Sequence, residues 1–321
     1  MLGLLIAPSY CLAEWHTAAH DVMGTRLTIT LWHKNKDTAE QLIDTVVEEM
    51  NRLENKFSSY KEDSELSNIN HHAFKQAVPV SDEMLAVLDK ALYYGQLTGG
   101  AFDISFASVG RQYDYRTQQK PLPDQINAAI INFKLIELDK NSSTVRFLHP
   151  HIRIALGGIV KGYAVDRAAQ ILHNTGISNA SVSAGGDSRI LGNRNGQPWM
   201  VGIKHPRARL TKDQKDVALV IPLENAAMST SGDYERYFID QISGERVHHI
   251  INPKTKQSAT GVRSVSIIGP QGFDTDPLST SVFVMGVQDG LQLINRLQMF
   301  DAVIIDHQGK VHYSNGLVEP N

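Results

Sequence analysis

Hydrophobic positions recur along this chain with two different periods. From Thr25 to His33, TRLTITLWH, Leu27, Ile29 and Leu31 alternate with mostly polar neighbours, which is the pattern of a half-buried strand. Asp37 then opens a segment in which Leu42, Val46, Met50, Leu53 and Phe57 share one stripe at helical spacing, with Glu40 as a capping-box partner three residues after Asp37. Such a stripe is core. The polar run FSSYKEDSELSNIN, residues 57–70, reads as a loop, and a second helix is expected from Ser81 to about Leu97, stopped by Gly99-Gly100.

Beyond it, QYDYRTQQKPLP from Gln112 to Pro123 is polar with two prolines and reads as an exposed excursion. The pattern then predicts a short helix over Asp124–Asn132, strands near Leu135–Asp139 and Thr144–Ala155, and a helix from Ile159 to about Asn174 after the break at Gly157-Gly158. The remainder is rich in strand signals: ASVSAGGDSRILG, WMVGIKH, VALVIPL, HHIINP and RSVSIIG. Helices from Pro277 and from Gln288 interrupt it, and FDAVIIDHQGKVHYS closes as a hairpin turning at Gln308-Gly309. Strands and helices interleave without a regular βαβ rhythm, so the expected fold is α+β, with largely antiparallel sheet flanked by helices. No internal repeat is visible.

Composition narrows this little: 321 residues, 42% hydrophobic and 20% charged, suit a soluble globular protein. A formal net charge of −3 supplies no electrostatic reason to expect nucleic acid. Residues 1–13 read as the remnant of a signal peptide lacking its basic n-region, and residues 14–321 as one domain, divisible at most into two intimately packed subdomains. The single cysteine, Cys11, falls inside that leader, so a cleaved chain would hold no thiol. The residues preceding Cys11 disfavour a lipidation site.

Several short stretches could carry chemistry. IALGGIVKGYAVD sets two glycines between a strand and a helix, which opens backbone N–H groups to an anion. It is neither a Walker A loop nor a dinucleotide fingerprint, and its glycines could equally serve only a tight turn. SAGGDSRILG and AMSTSGDYERYF look like turns. In VHHIINPKT, strand alternation puts His248 and His249 on opposite faces. In FDTDPLSTSVFVMG, Asp276 before Pro277 reads as a helix cap. Asp276 and Thr280 are also four residues apart on one helix face, within reach of one hard cation, for which Mg²⁺ is the better candidate and Zn²⁺ a poor one.

Taken in order, Met23-Gly24-Thr25, SSYKEDSELSNIN, GGAFDIS, LGGIVKGYAVD, SAGGDSRILG, STSGDYERYF, HHIINPKT and TDPLSTSVFVMG resemble the ApbE family, from about Met23 to Val311. The resemblance implies a periplasmic or membrane-facing, Mg²⁺-dependent FAD:protein FMN transferase. Such an enzyme cleaves the pyrophosphate of FAD, attaches FMN through a phosphoester to a Ser or Thr of a target, and releases AMP. The implied acceptor is a respiratory flavoprotein subunit carrying a short Ser/Thr motif; membrane association would come through that acceptor or an N-terminal anchor.

By motif, the resemblance makes Asp276, Thr280 and the Gly158 backbone carbonyl metal ligands. FAD contacts are implied at Met23, Tyr60, Ala101, Phe102, Asp103, Lys161, His249 and Ile250; apart from what the resemblance implies, we take His249 as the proton acceptor or positioning group for the attacking hydroxyl. Ala155 occupies a cofactor position where the family usually carries an aspartate, which bears on FAD affinity or pose more than on the metal. Two other readings use the same residues: an Mg²⁺-dependent FAD pyrophosphatase yielding FMN and AMP, and a non-catalytic FAD-binding protein.

Overall fold

A computed structural model describes residues 14–207 and 217–318. The leader read at residues 1–13 lies outside the described residues. An eight-stranded sheet organises the chain, with strands β1 (Glu14–Val22), β2 (Thr25–His33), β3 (Ala180–Ala184), β4 (Asp187–Leu191), β5 (Ala227–Gly232), β6 (Val262–Gly269), β7 (Asp301–Asp306) and β8 (Val311–Tyr313). They lie side by side in that order, and every neighbouring pair is antiparallel. The main helices are α1 (Lys36–Phe57), α2 (Glu65–His72), α3 (Asp82–Leu97), α4 (Val160–Asn174), α5 (Gly272–Met285) and α6 (Val287–Ile294).

Alternation decides which face is covered. Leu27, Ile29 and Leu31 of β2 are fully buried together with Val46, Met50 and Leu53 of α1, Ala164 and Ala168 of α4, and Leu278 and Val282 of α5. Each fully buried Leu, Ile, Val or Met side chain contributes roughly 1.5–3 kcal/mol, so the apolar stripes, not the polar faces, hold these helices on the sheet. The other face packs Ile190, Met228 and Val303 against Trp199, Ile203 and Leu223 of a separate hairpin, Trp199–Lys204 with Val217–Leu223.

The mixed, mostly antiparallel architecture is the one expected from the pattern. Its details differ in several places. β1 is a full edge strand that weak alternation hides, its half-buried positions being Trp15, His16, Ala18 and His20. Half of the polar run at 57–70 is helix α2, started by the Ser64 hydroxyl accepting from the Ser67 N–H, and its Asn70 is buried, donating to and accepting from the backbone of Ile154. The strand after Thr144 ends at Phe147. AMSTSG is not a turn but the interior strand β5, its hydroxyls paired across the core: Ser229 with Thr275 at 2.7 Å, Ser231 with Ser279 at 2.8 Å and Thr230 with Ser266 at 2.8 Å.

Helix α5 starts at Gly272, five residues before Pro277, so Asp276 does not cap its own helix. Its carboxylate instead accepts from the Gly162 N–H of α4 at 3.0 Å.

Candidate active site

The site lies where α4 and α5 cross. The approach is close because both helices carry glycine there: a Cβ on Gly162 would be driven onto the Gly272 carbonyl, with the carbonyl carbon at 2.5 Å. No side chain caps the N-terminus of α4 from its own N-cap, Ile159, and Asp276 of α5 fills that role by taking the N–H of the helix's third residue. Asp276 is 3% exposed. Burial, and after it the charge of Asp187, push its carboxyl up to about 7, while Lys161 and the Gly162 N–H pull it down.

Lys161 donates to the buried carboxylate of Asp187 at the start of β4, and its Nζ lies 3.9 Å from Asp276 Oδ1. Burial alone would lower the ammonium pKa, but Asp187 first and Asp276 second hold it above the usual lysine range. One turn beyond Asp276, the Thr280 hydroxyl is 3.3 Å from Ser231 Oγ, which also hydrogen-bonds Ser279 at 2.8 Å. A Cβ on Gly158 would sit 3.3 Å from Thr280 Oγ1 and 3.3 Å from the Phe102 ring, so Gly158, Thr280 and Phe102 meet at one point.

The hairpin β1–β2 turns on Met23 and Gly24, with φ of +54° and +67°, the left-handed pair of a type I′ turn. This turn brings Gly24 against the Arg236 guanidinium and Thr25 against Gly185. His248 and His249 part as alternation requires. His248 is buried, donates from Nε2 to Ala259 O at 2.8 Å and accepts from the Ile250 N–H, so it is structural. His249 is half-buried, its Nδ1 is enclosed without a hydrogen-bond partner, and burial, His248, Arg236 and Lys161 lower its pKa to about 3. Its imidazole is therefore neutral at physiological pH.

The remaining expected residues are spread more widely. Ala101 and Phe102 are buried, and both carboxylate oxygens of Asp103 are engaged internally, by the Ser105 N–H and hydroxyl and by the Phe133 N–H. Burial raises the Asp103 carboxyl against those bonds. Ala155 is half-buried and its N–H donates to Ile104 O. Ile250 is buried, and Tyr60 stands in solvent, 88% exposed. A cleft of about 680 Å³ lies beside the crossing, lined by Tyr163 and Asp166 of α4, Arg189 of β4 and Phe273 of α5 among others.

Sequence reasoning did not single out Asp187, Ser231 or Arg236 as site residues. The signal for Asp187 was its place directly after a glycine pair that turns two strands. Arg236 had none.

For a cation, the donors are mixed. Among the described residues no group of three or more His, Cys, Asp or Glu side chains is gathered for a metal. What the crossing offers is a carboxylate that is unfavourably charged without a cation, a hydroxyl and a neighbouring glycine backbone, all hard oxygen donors. Sparse oxygen donors of this kind fit Mg²⁺, which keeps water and substrate oxygens for the rest of its shell.

A sequence profile of the ApbE family matches residues 23–304. The chain belongs to the ApbE family. It is 30% identical to an FAD:protein FMN transferase of Vibrio cholerae over 330 residues, 99% of this chain and 96% of that one. It is also 30% identical to one of Treponema pallidum, covering 95% and 88%. Among solved structures, the ApbE protein of Thermotoga maritima superposes with a TM-score of 0.85 at 32% identity, covering 94% of this chain and 98% of that one. The flavin transferase ApbE of Vibrio cholerae gives 0.81 at 28%, covering 95% and 98%. This ApbE-family chain is a transferase, and the crossing of α4 and α5 is its candidate active site.

Proposed function

We propose that this chain transfers FMN from FAD to a serine or threonine hydroxyl of a target protein, forming a phosphoester, releasing AMP and requiring Mg²⁺. The observation that carries the reading is the pairing, at one buried helix crossing, of the oxygen donors Asp276 and Thr280 with the ammonium of Lys161. A flavin carrier without turnover would have no use for that arrangement.

Asp276, Thr280 and the Gly158 carbonyl would hold the cation. When bound, Mg²⁺ supplies charge neutralisation on the pyrophosphate and on the departing AMP. The rest falls to the chain itself. Lys161 and the N-terminal end of α4 place positive potential where phosphate oxygens would sit, already oriented before the substrate arrives. Neutral His249 would accept the proton of the attacking hydroxyl. Anionic phosphates brought beside it would raise its basicity. The new bond joins the acceptor oxygen to the FMN phosphorus as the P–O bond to the AMP moiety breaks.

Incubating the protein with FAD, Mg²⁺ and a candidate acceptor tests this. Covalent flavin fluorescence on the acceptor in a denaturing gel, with stoichiometric AMP, is the expected result. Free FMN and AMP with no labelled acceptor would replace transfer by hydrolysis, and intact FAD would overturn the catalytic reading. The same reading places the protein on the periplasmic side of the inner membrane, reached by the leader; among the described residues no helix is long and apolar enough to cross a membrane.

A further inference from the structure

Asp276 is only half of the device at the crossing. The other half is Asp166, on α4, which does for α5 what Asp276 does for α4. Helix α5 begins after Gln271, whose side chain makes no capping bond. Its first two N–H groups donate instead across the interface, Gly272 N to Asp166 Oδ1 at 2.9 Å and Phe273 N to Asp166 Oδ2 at 2.8 Å. Arg189 of β4 approaches the same carboxylate, Nε to Oδ1 at 3.4 Å, tying it to the sheet.

The two carboxylates thus cap each other's helices. On α4 the clamped positions are Gly162 and Asp166, four apart; on α5 they are Asp276 and Gly272, also four apart and in the opposite sense. Between them the glycine contact leaves no slack. One clamp alone would let α5 pivot about it, whereas two, a helical turn apart, fix both its rotation and its slide.

We infer that Asp166 is a positioning residue for the transfer reaction: it sets the register of α5 on α4 and so aims Asp276 and Thr280, without itself touching substrate or cation. The inference rests on the reading of Asp276 and Thr280 as cation ligands.

The test compares the full-length wild-type chain with Asp166→Ala, Asp166→Asn and Asp276→Ala by two readouts. The first is amide hydrogen exchange over residues 272–280. The second is Mn²⁺ affinity followed by electron paramagnetic resonance, with Mn²⁺ as the probe for the cation site. In Asp166→Ala, exchange in the first two turns of α5 rises while the rest of the sheet is unchanged, and Mn²⁺ affinity falls on the order of tenfold, the scale set by losing a helix cap. Asp166→Asn, which keeps one acceptor oxygen, falls between, and it carries the comparison if the alanine variant does not fold.

A folded Asp166 variant with wild-type exchange in 272–280 overturns the inference. So does one with faster exchange but unchanged Mn²⁺ affinity while Asp276→Ala has lost binding. If Asp276→Ala binds Mn²⁺ as tightly as wild type, the cation reading is what fails, and the exchange data still decide whether Asp166 sets the register.

Discussion

At Gly162, two general expectations have opposite signs. In an open helix, replacing glycine by alanine stabilises by about 0.5–1 kcal/mol, because alanine loses less backbone freedom on folding. In Gly162→Ala the new Cβ would meet Gly272 C at 2.5 Å and Asp276 Cβ at 2.7 Å. The first obstacle is the backbone of α5, which cannot swing aside as the tip of a long side chain would. Restoring an ordinary carbon–carbon separation requires the helices to part by about 1 Å. Overpacking of this kind costs about 1–3 kcal/mol and outweighs the helix-propensity gain. At about 2–4 °C per kcal/mol for a chain of this order of size, the melting temperature falls by several degrees. The catalytic effect is larger, since a misplacement of about 1 Å at a reacting centre costs on the order of 10²-fold. Thermal melts by circular dichroism and the flavin-transfer assay measure the two. Gly157→Ala, where nothing lies within 4 Å of the new Cβ, supplies the comparison for stability. A Gly162→Ala protein that melts at or above the wild-type temperature and transfers flavin at the wild-type rate would refute the claim that this contact sets the site.

Other outcomes follow from the same geometry. Asp276→Ala is expected to abolish flavin transfer in a folded protein; full activity with Mg²⁺ present would remove it from the site. Mg²⁺ at about 100 times its dissociation constant stabilises by about 2.7 kcal/mol if it binds only the folded state, so it should raise the melting temperature of wild type and leave that of Asp276→Ala where it was. His249→Ala should lower kcat by on the order of 10²–10⁴-fold, the usual worth of a positioned base; an unchanged kcat would assign the proton elsewhere. Glu83, hydrogen-bonded to Arg52 and Lys56 of α1 and to Tyr163 of α4, is held down to about 2, chiefly by the Arg52 guanidinium. A depressed carboxyl contributes stability that is whole above its unfolded value near 4.5 and is lost as pH falls toward 2. Glu83→Gln should therefore flatten the acid limb of the melting-temperature profile in that window and leave its neutral part parallel to wild type.

How much of this was legible before the structure depends on whether a residue's partner lies near it in the chain. The strand at Thr25–His33, the stripe on α1 and the helix Asp82–Leu97 capped by Ser81 are visible because burial there follows a local period. β5 was hidden because its polar run does not face water. Ser229 and Ser231 spend their hydroxyls on Thr275 and Ser279, more than 40 residues away, and no period in the sequence announces such a pairing. α2 was missed for a related reason: Asn70, polar in sequence, is spent on the backbone of Ile154.

The same distinction divides the candidate site. Asp276 next to Pro277 has the form of a local helix cap, and that form misleads: the carboxylate does cap a helix, but the helix is α4, 114 residues earlier in the chain. Asp166 carries no local signal at all, since mid-helix carboxylates usually face solvent, yet it caps α5 at a separation of 106 residues. A carboxylate committed to another helix's N–H groups is fixed before any ligand arrives, and it is desolvated by the helix it fixes. That burial, with the charge of Asp187 nearby, is why the Asp276 carboxylate is unfavourably charged and why a cation beside it would relieve it. The close glycine contact, the reciprocal caps and the buried charge are one arrangement, and a change at any of the three should be felt at the other two.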